Sequence, residues 1–322
     1  MKKLIAACTC IIFLMMSCNS KKEFPEVITV NDSNDNTSLI LEPNTEVKTV
    51  GILLYDGFAN LDAVGPYAVF TSLMGTEVFF VGLHDGLVED ARGMKVQVDT
   101  TITDVKQLDV LLIPGGFKET YQLTKDETLL NWIRDIDSNS KYTASVCTGA
   151  WILGATGLLE GKEATTHWYG KKILEENYGV KLKDTRYANS GKYWTSAGVT
   201  AGMDMSLAML REIAGDNYVK MVMLDLEYDP KPPIEGGSEK NTDKNIVETL
   251  RAMYDSGMKT VLNPEKAVSN IKVDNIKDPV CGMSIRTHFS DTLQYNNKIY
   301  GFCSSVCKAM FKENPEMYLN TK

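Results

Sequence analysis

The stretch YTASVCTGAWILGA, residues 142–155, decides the fold. An apolar run of strand length ends at Cys147, and an apolar helical pattern begins directly after it. Ser145 and Gly149 are small, as a sharp strand-to-helix turn that holds out a nucleophile requires. The N-terminus of the following helix would favour the thiolate over the thiol. The pattern predicts a reactive Cys147 on a nucleophile elbow, and a buried, inert cysteine is the alternative.

The sequence on either side of this stretch alternates between strand and helix patterns. Two more apolar runs of strand length cover residues 49–55 and 109–113. Helical patterns fall between and after the runs, at about 61–74, 123–137, 148–156 and 203–213. Such alternation predicts an α/β domain with a mainly parallel sheet that is covered on both faces.

The first eighteen residues have the pattern of an export signal. Lys2 and Lys3 precede an apolar run at residues 4–16, which is shorter than the ~20 residues that span a bilayer as a helix. Ser17-Cys18 then resembles a lipobox, although Met15 stands where Leu is usual. We expect cleavage after residue 17, a lipid anchor on Cys18, and a location in the cell envelope facing the periplasm or the surface. Plain secretion is the alternative.

Composition divides the remainder into four further parts. The polar residues 18–47 are expected to form a flexible tether, and residues 48–228 the α/β domain. Residues 229–274 form a linker rich in Pro, Gly and charge, with a short helix at about 245–258. The last part, residues 275–322, is small enough to need a metal or a disulfide as a staple.

The net charge of the chain indicates which classes of partner it is expected to bind. The 322-residue chain has a formal net charge of −8, and loss of Lys2 and Lys3 with the signal would make it more acidic. A nucleic-acid partner is therefore not expected. A small-molecule substrate and the membrane, reached through the lipid anchor, are the expected partners.

Four stretches together resemble the ThiJ/PfpI superfamily, which has the class I glutamine-amidotransferase-like fold. They are VGILLYDGFANLDAVGPYAVF (50–70), VLLIPGG (110–116), TASVCTGAWILGATGLLEGKEATTHW (143–168) and TSAGVTAGMDMSL (195–207). They are most similar to the branch that contains isonitrile hydratases and the amidase-like halves of AraC-type regulators. The resemblance implies a flavodoxin-like three-layer sandwich without a cofactor. Many members dimerise, so a homodimer is also implied.

The residue after the nucleophile separates branches of this superfamily. It is Thr148, where PfpI-type proteases have His, so a protease of that type is not expected. The resemblance places Asp62 beside Cys147 as the acid/base partner. From the residues alone Asp62 could instead cap a helix, with Gly65 and Pro66 shaping the turn that enters it.

Two further groups are candidates for the site. The backbone N–H groups of Gly115 and Gly116 would stabilise developing negative charge. His167 is a second candidate base, and a structural histidine that orients a loop is its alternative.

The predicted chemistry is nucleophilic addition. Cys147 would attack a small electrophile, Asp62 would move the proton, Thr148 would hydrogen-bond the adduct, and water would release the product. An isonitrile and a reactive carbonyl both suit this scheme, which fits a cysteine-dependent hydratase, lyase or hydrolase. The alternative is a non-catalytic envelope protein that binds a ligand or a metal.

The C-terminal stretches DPVCGM (278–283) and YGFCSSVC (300–307) resemble the YHS domain, a small treble-clef-like metal-binding module. Cys281, Cys303 and Cys307 form a soft ligand set, suited to zinc or copper. Cys303 and Cys307, four residues apart, are expected on one side of a short helix. His288 is the nearest candidate for a fourth ligand, Asp278 a weaker one and solvent a third. One disulfide with a free thiol is the alternative to a metal.

Overall fold

The computed structural model describes residues 28–30, 39–41, 46–262, 272–285 and 289–319. The chain divides into a unit at Met1–Glu42 and a unit at Pro43–Lys322. In the first unit the described residues form one antiparallel strand pair, β1 (Ile28–Val30) and β2 (Leu39–Leu41). The expected signal peptide and Cys18 lie outside the described residues.

The second unit contains a central sheet and three small strand pairs. Its strands are β3 (Thr49–Leu54), β4 (Glu77–Gly82), β5 (Leu87–Glu89), β6 (Lys95–Gln97), β7 (Thr100–Thr101), β8 (Val110–Ile113), β9 (Tyr142–Val146), β10 (Glu163–Ala164), β11 (Lys181–Leu182), β12 (Tyr187–Ser190), β13 (Tyr193–Ser196), β14 (Asp291–Tyr295) and β15 (Lys298–Phe302). The central sheet has the order β12-β13-β9-β8-β3-β4-β7. Every neighbouring pair is parallel except β12 with β13.

Helices cover this sheet. They are α1 (Asn60–Phe70), α2 (Lys118–Leu123), α3 (Glu127–Asn139), α4 (Gly149–Ala155), α5 (Lys171–Tyr178), α6 (Ala201–Asp225), α7 (Lys244–Leu262), α8 (Ser305–Glu313) and α9 (Pro315–Leu319). All four residues of β8 are buried, as expected for a strand covered on both faces. The predicted α/β class and flavodoxin-like fold are confirmed.

Helix α1 differs from the sequence-based expectation. It begins at Asn60 and runs through Gly65 and Pro66, which therefore do not shape a turn before it. Its N-cap residue is Ala59, and Asp62 lies in the first turn. Pro66 is buried inside the helix and lacks the backbone N–H that would donate there. A Cβ on Gly65 would lie 3.0 Å from Met203 Cγ of α6, so the small residue allows the two helices to approach closely.

The C-terminal module is built from the β14–β15 hairpin and helices α8 and α9. Its core residues are Ile285, Tyr300, Phe302, Cys303, Cys307 and Phe311. The Phe311 ring lies at the centre of this core, 5.2 Å from both the Tyr300 and the Phe302 rings. In the part of the chain that the structure describes, no helix is long and apolar enough to cross a membrane.

Candidate active site and thiol cluster

Cys147 lies at the turn between β9 and α4 and has a strained backbone, with φ of 57°. A non-glycine residue adopts this left-handed conformation only when its surroundings hold it there. Its N–H donates to the carbonyls of Ser196 (3.1 Å) and Ala197 (3.2 Å). Its carbonyl accepts the hydroxyl of Thr166 at 2.6 Å. The backbone of Cys147 is thus fixed on both sides.

Gly149 explains why the turn needs small neighbours. A Cβ at this position would lie 2.2 Å from the carbonyl oxygen of Ile113 and 2.8 Å from that of Pro114. Helix α4 therefore starts in direct contact with the end of β8, which only glycine permits.

Asp62 is fully buried in the first turn of α1. Its Oδ2 accepts the N–H of Gly115 at 3.1 Å, and its Oδ1 has no hydrogen bond of good geometry within the described residues. Burial raises the pKa of Asp62 to about 7, although the Cys147 thiol and the N–H groups of Gly115 and Val199 act in the opposite direction. Near neutral pH this carboxyl can therefore both accept and donate a proton.

The Cys147 thiol lies beside Asp62 and is only 5% exposed. Burial first, and then the negative charge of Asp62, raises the pKa of Cys147 well above its ordinary value. The N–H of Thr148 at the start of α4 lowers this pKa, as the sequence predicted, but its effect is the smaller one. The resting thiol is therefore protonated, and Asp62 is the group beside it that can take the proton.

Thr148 and the Gly115-Gly116 turn are joined by hydrogen bonds. The Thr148 hydroxyl accepts the N–H of Gly116 at 3.0 Å and donates to the Gly116 carbonyl at 2.9 Å. The N–H of Gly115 is directed at Asp62. The two N–H groups expected to stabilise developing charge thus bond to protein side chains instead. Asp62 and Thr148 can lie this close to the turn only because Gly115 has no side chain, since a Cβ there would collide with both.

His167 contacts aromatic rings. Its ring lies 5.6 Å from that of Trp168 and 5.8 Å from that of Tyr254, and a Cβ on Gly198 would be 2.4 Å from its Cδ2. Burial, with a contribution from Lys171, lowers the pKa of His167 to about 4. A neutral, tightly packed ring favours the structural alternative over the general base.

Sequence reasoning did not identify an aromatic group around this site. Phe117 follows the glycine turn, and Tyr254 comes from α7, more than a hundred residues after Cys147. The two rings are 5.2 Å apart. Phe117 could have been suspected from its place beside Gly116, but no local pattern indicates where α7 packs.

The structure brings Cys281, Cys303 and Cys307 together. Their Sγ atoms are 3.4 Å (Cys281–Cys303) and 3.7 Å (Cys303–Cys307) apart, too far for a disulfide bond of about 2.0 Å. Two thiolates on one tetrahedral zinc would be about 3.8 Å apart. Asp278 joins the cluster, and all four ligand atoms lie within 4.8 Å of one another. This arrangement could bind a soft metal ion.

The ligand positions refine the sequence prediction. Cys303 follows strand β15 and precedes α8, so it does not share a helix with Cys307. Asp278, the weaker candidate, lies in the cluster and accepts the N–H groups of Val280 (2.8 Å) and Cys303 (2.7 Å). His288 lies outside the described residues.

Charge within the cluster also suits a cation. Hydrogen bonds from the Cys303 and Cys307 thiols lower the pKa of Cys281 to about 3. Hydrogen bonds with Cys281 and Cys307 raise the pKa of Cys303, and the pKa of Cys307 rises to about 12 mainly because of Cys281. The shared hydrogen bonds thus favour ionisation of Cys281 over that of the other two thiols.

Two basic residues of the α/β domain lie near the cluster. Lys118, the first residue of α2, is 4% exposed, and burial lowers its pKa, although the charges of Cys303, Glu119, Asp278 and Cys281 partly offset this effect. Arg92 donates to the carbonyl of Cys281 at 3.3 Å. Lys118 directly follows Phe117, so one short segment borders both sites.

A mainly parallel sheet with a strained cysteine at a strand-to-helix turn defines an α/β protein whose turn has the geometry of a nucleophile elbow. The chain belongs to the DJ-1/PfpI family, whose model matches residues 48–212, and it also contains a YHS domain at residues 276–322.

Three known proteins illustrate the similarity. Isonitrile hydratase from Pseudomonas putida is 37% identical over 202 residues, covering 63% of this chain and 88% of that protein. The HTH-type transcriptional regulator CdhR from Pseudomonas aeruginosa is 30% identical, over 42% of this chain and 40% of the regulator. A ThiJ/PfpI family protein from Pseudomonas syringae has a solved structure with a TM-score of 0.65 and 32% identity, covering 68% of this chain and 90% of that one.

Proposed function

We propose that this protein is a cysteine-dependent hydratase or lyase that acts on a small electrophile, with an isonitrile or a reactive carbonyl as the substrate class. The observation that carries the proposal is a buried pair of side chains. Cys147 lies at the strand-to-helix turn, and Asp62 beside it has a pKa of about 7. The 37% identity to isonitrile hydratase supports an isonitrile as the first compound to test.

The proposed reaction with an isonitrile proceeds in two stages. Ionised Asp62 takes the thiol proton as the sulfur of Cys147 forms a bond to the isonitrile carbon, and the same proton then passes to that carbon to give a thioimidate. Water adds to the thioimidate carbon with Asp62 as base, and Asp62 passes this proton to the imine nitrogen. The C–S bond then breaks as the new hydroxyl group becomes the formamide carbonyl and loses its proton to the sulfur. Cys147 regains a proton, and the product is an N-substituted formamide. Water is the only co-reactant consumed.

In this scheme Thr148 and Gly116 position the start of α4 beside the sulfur of Cys147. Their paired hydrogen bonds hold the start of α4, and the N–H of Thr148 stays directed at the sulfur. That N–H would stabilise the thiolate as the C–S bond breaks. His167, neutral near pH 7, would shape the pocket wall.

The activity test is a panel of small isonitriles and α-oxoaldehydes, assayed with the wild type and with Cys147→Ser. We expect turnover of at least one class and loss of that turnover in the variant. We also expect kcat/KM to rise with pH through about 7, because the base form of Asp62 is required. Equal rates for wild type and Cys147→Ser would contradict the proposal.

The location and assembly are part of the same proposal. The lipobox-like Ser17-Cys18 supports a chain anchored to a membrane of the cell envelope, and membership of the family supports a homodimer. Incorporation of labelled fatty acid that is lost in Cys18→Ala would support the anchor. Light scattering of the protein without its signal would measure the oligomeric state.

A metal-binding role for the C-terminal module is the second candidate function. The converging cluster of Cys281, Cys303, Cys307 and Asp278 favours it, with zinc or copper as the ion. Elemental analysis of purified protein, with Cys303→Ser as the control, tests this role. About one ion per chain that is lost in the variant is the expected result.

A further inference from the structure

Helix α7 lies between the two regions that match family models, residues 48–212 and 276–322, and it carries Tyr254. The Tyr254 ring packs against Phe117 at 5.2 Å and meets His167 edge-on at 5.8 Å. Neither family match therefore includes this side chain, although it contacts residues of the α/β domain.

Within the described residues the Tyr254 ring contacts four rings, those of Phe117, His167, Trp168 and Tyr169. Phe117 and His167 belong to the two loops beside the elbow. Phe117 follows Gly116, which is hydrogen-bonded to Thr148. His167 follows Thr166, whose hydroxyl is bonded to the carbonyl of Cys147. Tyr254 thus bridges the loops on either side of the nucleophile. Burial and the charge of Cys147 both raise the pKa of Tyr254, which agrees with its position near the sulfur.

The opposite side of α7 is held by the C-terminal module. The Ser256 hydroxyl accepts the N–H of Ser305 at 2.9 Å, and the Ser290 hydroxyl donates to the Ser256 carbonyl at 3.3 Å. A Cβ on Gly257 would lie 2.7 Å from Cε1 of Phe117. Helix α7 is therefore fixed between the α/β domain and the module, with little room to shift.

We propose that α7 covers the approach to Cys147 and that Tyr254 restricts this approach to small, unbranched electrophiles. This inference rests on the proposed function and specifies its substrate class. The reactive carbon must reach a sulfur of a residue that is 5% exposed, between loops that the Tyr254 ring bridges through Phe117 and His167. A narrow, linear group can do so, and a branched or aromatic substituent next to the carbon cannot.

The test measures alkylation of Cys147 with a small reagent, iodoacetamide, and a bulky one, fluorescein maleimide. Peptide mass spectrometry reads the Cys147 site separately from the other cysteines. Tyr254→Ala is expected to raise the bulky-to-small rate ratio by about tenfold or more. Tyr254→Phe keeps the ring and should therefore keep the wild-type ratio. Tyr187→Ala removes a partly exposed ring from β12 and should also leave the ratio unchanged.

Tyr254→Trp provides a second, independent measurement. A larger ring should lower the rate with the bulky reagent further, and thermal melts should show that each variant is folded. An unchanged ratio in Tyr254→Ala together with an unchanged rate in Tyr254→Trp would overturn the inference. Alkylation needs no turnover, so this result is separate from failure of the substrate panel.

Discussion

Burial of the Asp62 carboxyl lowers the stability of the folded protein near neutral pH. Its carboxyl has an ordinary pKa of 3.8 and is held near 7 in the folded protein by burial. Between these two values the folded chain keeps a proton that the unfolded chain has lost. The free energy of unfolding therefore falls as pH rises through this window, and the loss is complete above about 7. A group retained at such a cost is expected to serve the chemistry of the site.

Asp62→Asn should remove this penalty. At pH 8 the variant is expected to be more stable than the wild type, by on the order of 1 to 4 kcal/mol, while at pH 4 the two should be nearly equal. Urea unfolding at both pH values measures the difference. Asp225→Asn, at an exposed position, is the control and should give the same difference at both. A difference for Asp62→Asn that does not change with pH would contradict the raised pKa.

At the scale of single elements, the strand-to-helix turn was readable from sequence because its physics is local. A strand ending at Cys147, small flanking residues and an apolar helix all lie within fourteen residues. The helical pattern at 61–74 agrees with α1, but the role of Gly65 and Pro66 was wrong. Local rules place Pro66 at a helix entry, whereas it lies inside α1, which packs on α6 where Gly65 meets Met203. The N–H groups of Gly115 and Gly116 also have a different role from the one expected. They bond to Asp62 and Thr148, which are distant from them in the sequence.

Gly149→Ala tests the turn as an element. The new methyl group would meet the carbonyl of Ile113 at 2.2 Å, so α4 must move away from β8. We expect a loss of stability of about 2 kcal/mol or more and slower alkylation of Cys147, since the start of α4 positions the sulfur.

The matched control for this change is Gly157→Ala. Gly157 has φ of 82° and nothing within 4 Å of an added Cβ. Its substitution should cost about 1 kcal/mol through backbone strain alone and leave the alkylation rate unchanged. Equal alkylation rates in Gly149→Ala and the wild type would show that the turn does not depend on the close contact.

At the scale of the whole molecule, the two family regions meet at the segment that runs from Gly116 and Phe117 into the start of α2 at Lys118. Sequence composition separated the regions at the linker, and it could not indicate that α7 packs on both. Contacts between distant residues determine this arrangement. Lys118 illustrates the point, because it is a polar residue by sequence and yet is 4% exposed beside the thiol cluster.

This contact predicts that the α/β domain strengthens metal binding by the module. Three thiolates and one carboxylate around a divalent ion leave the cluster negatively charged, and a buried ammonium nearby compensates part of that charge. Lys118→Met should therefore weaken zinc binding by about tenfold, as measured by competition with a chromophoric chelator. Lys172→Met makes the same charge change at an exposed position of α5 and should leave the zinc affinity unaltered. If both variants bind zinc as tightly as the wild type, the buried lysine has no role in holding the metal, and the contact between the regions serves packing alone.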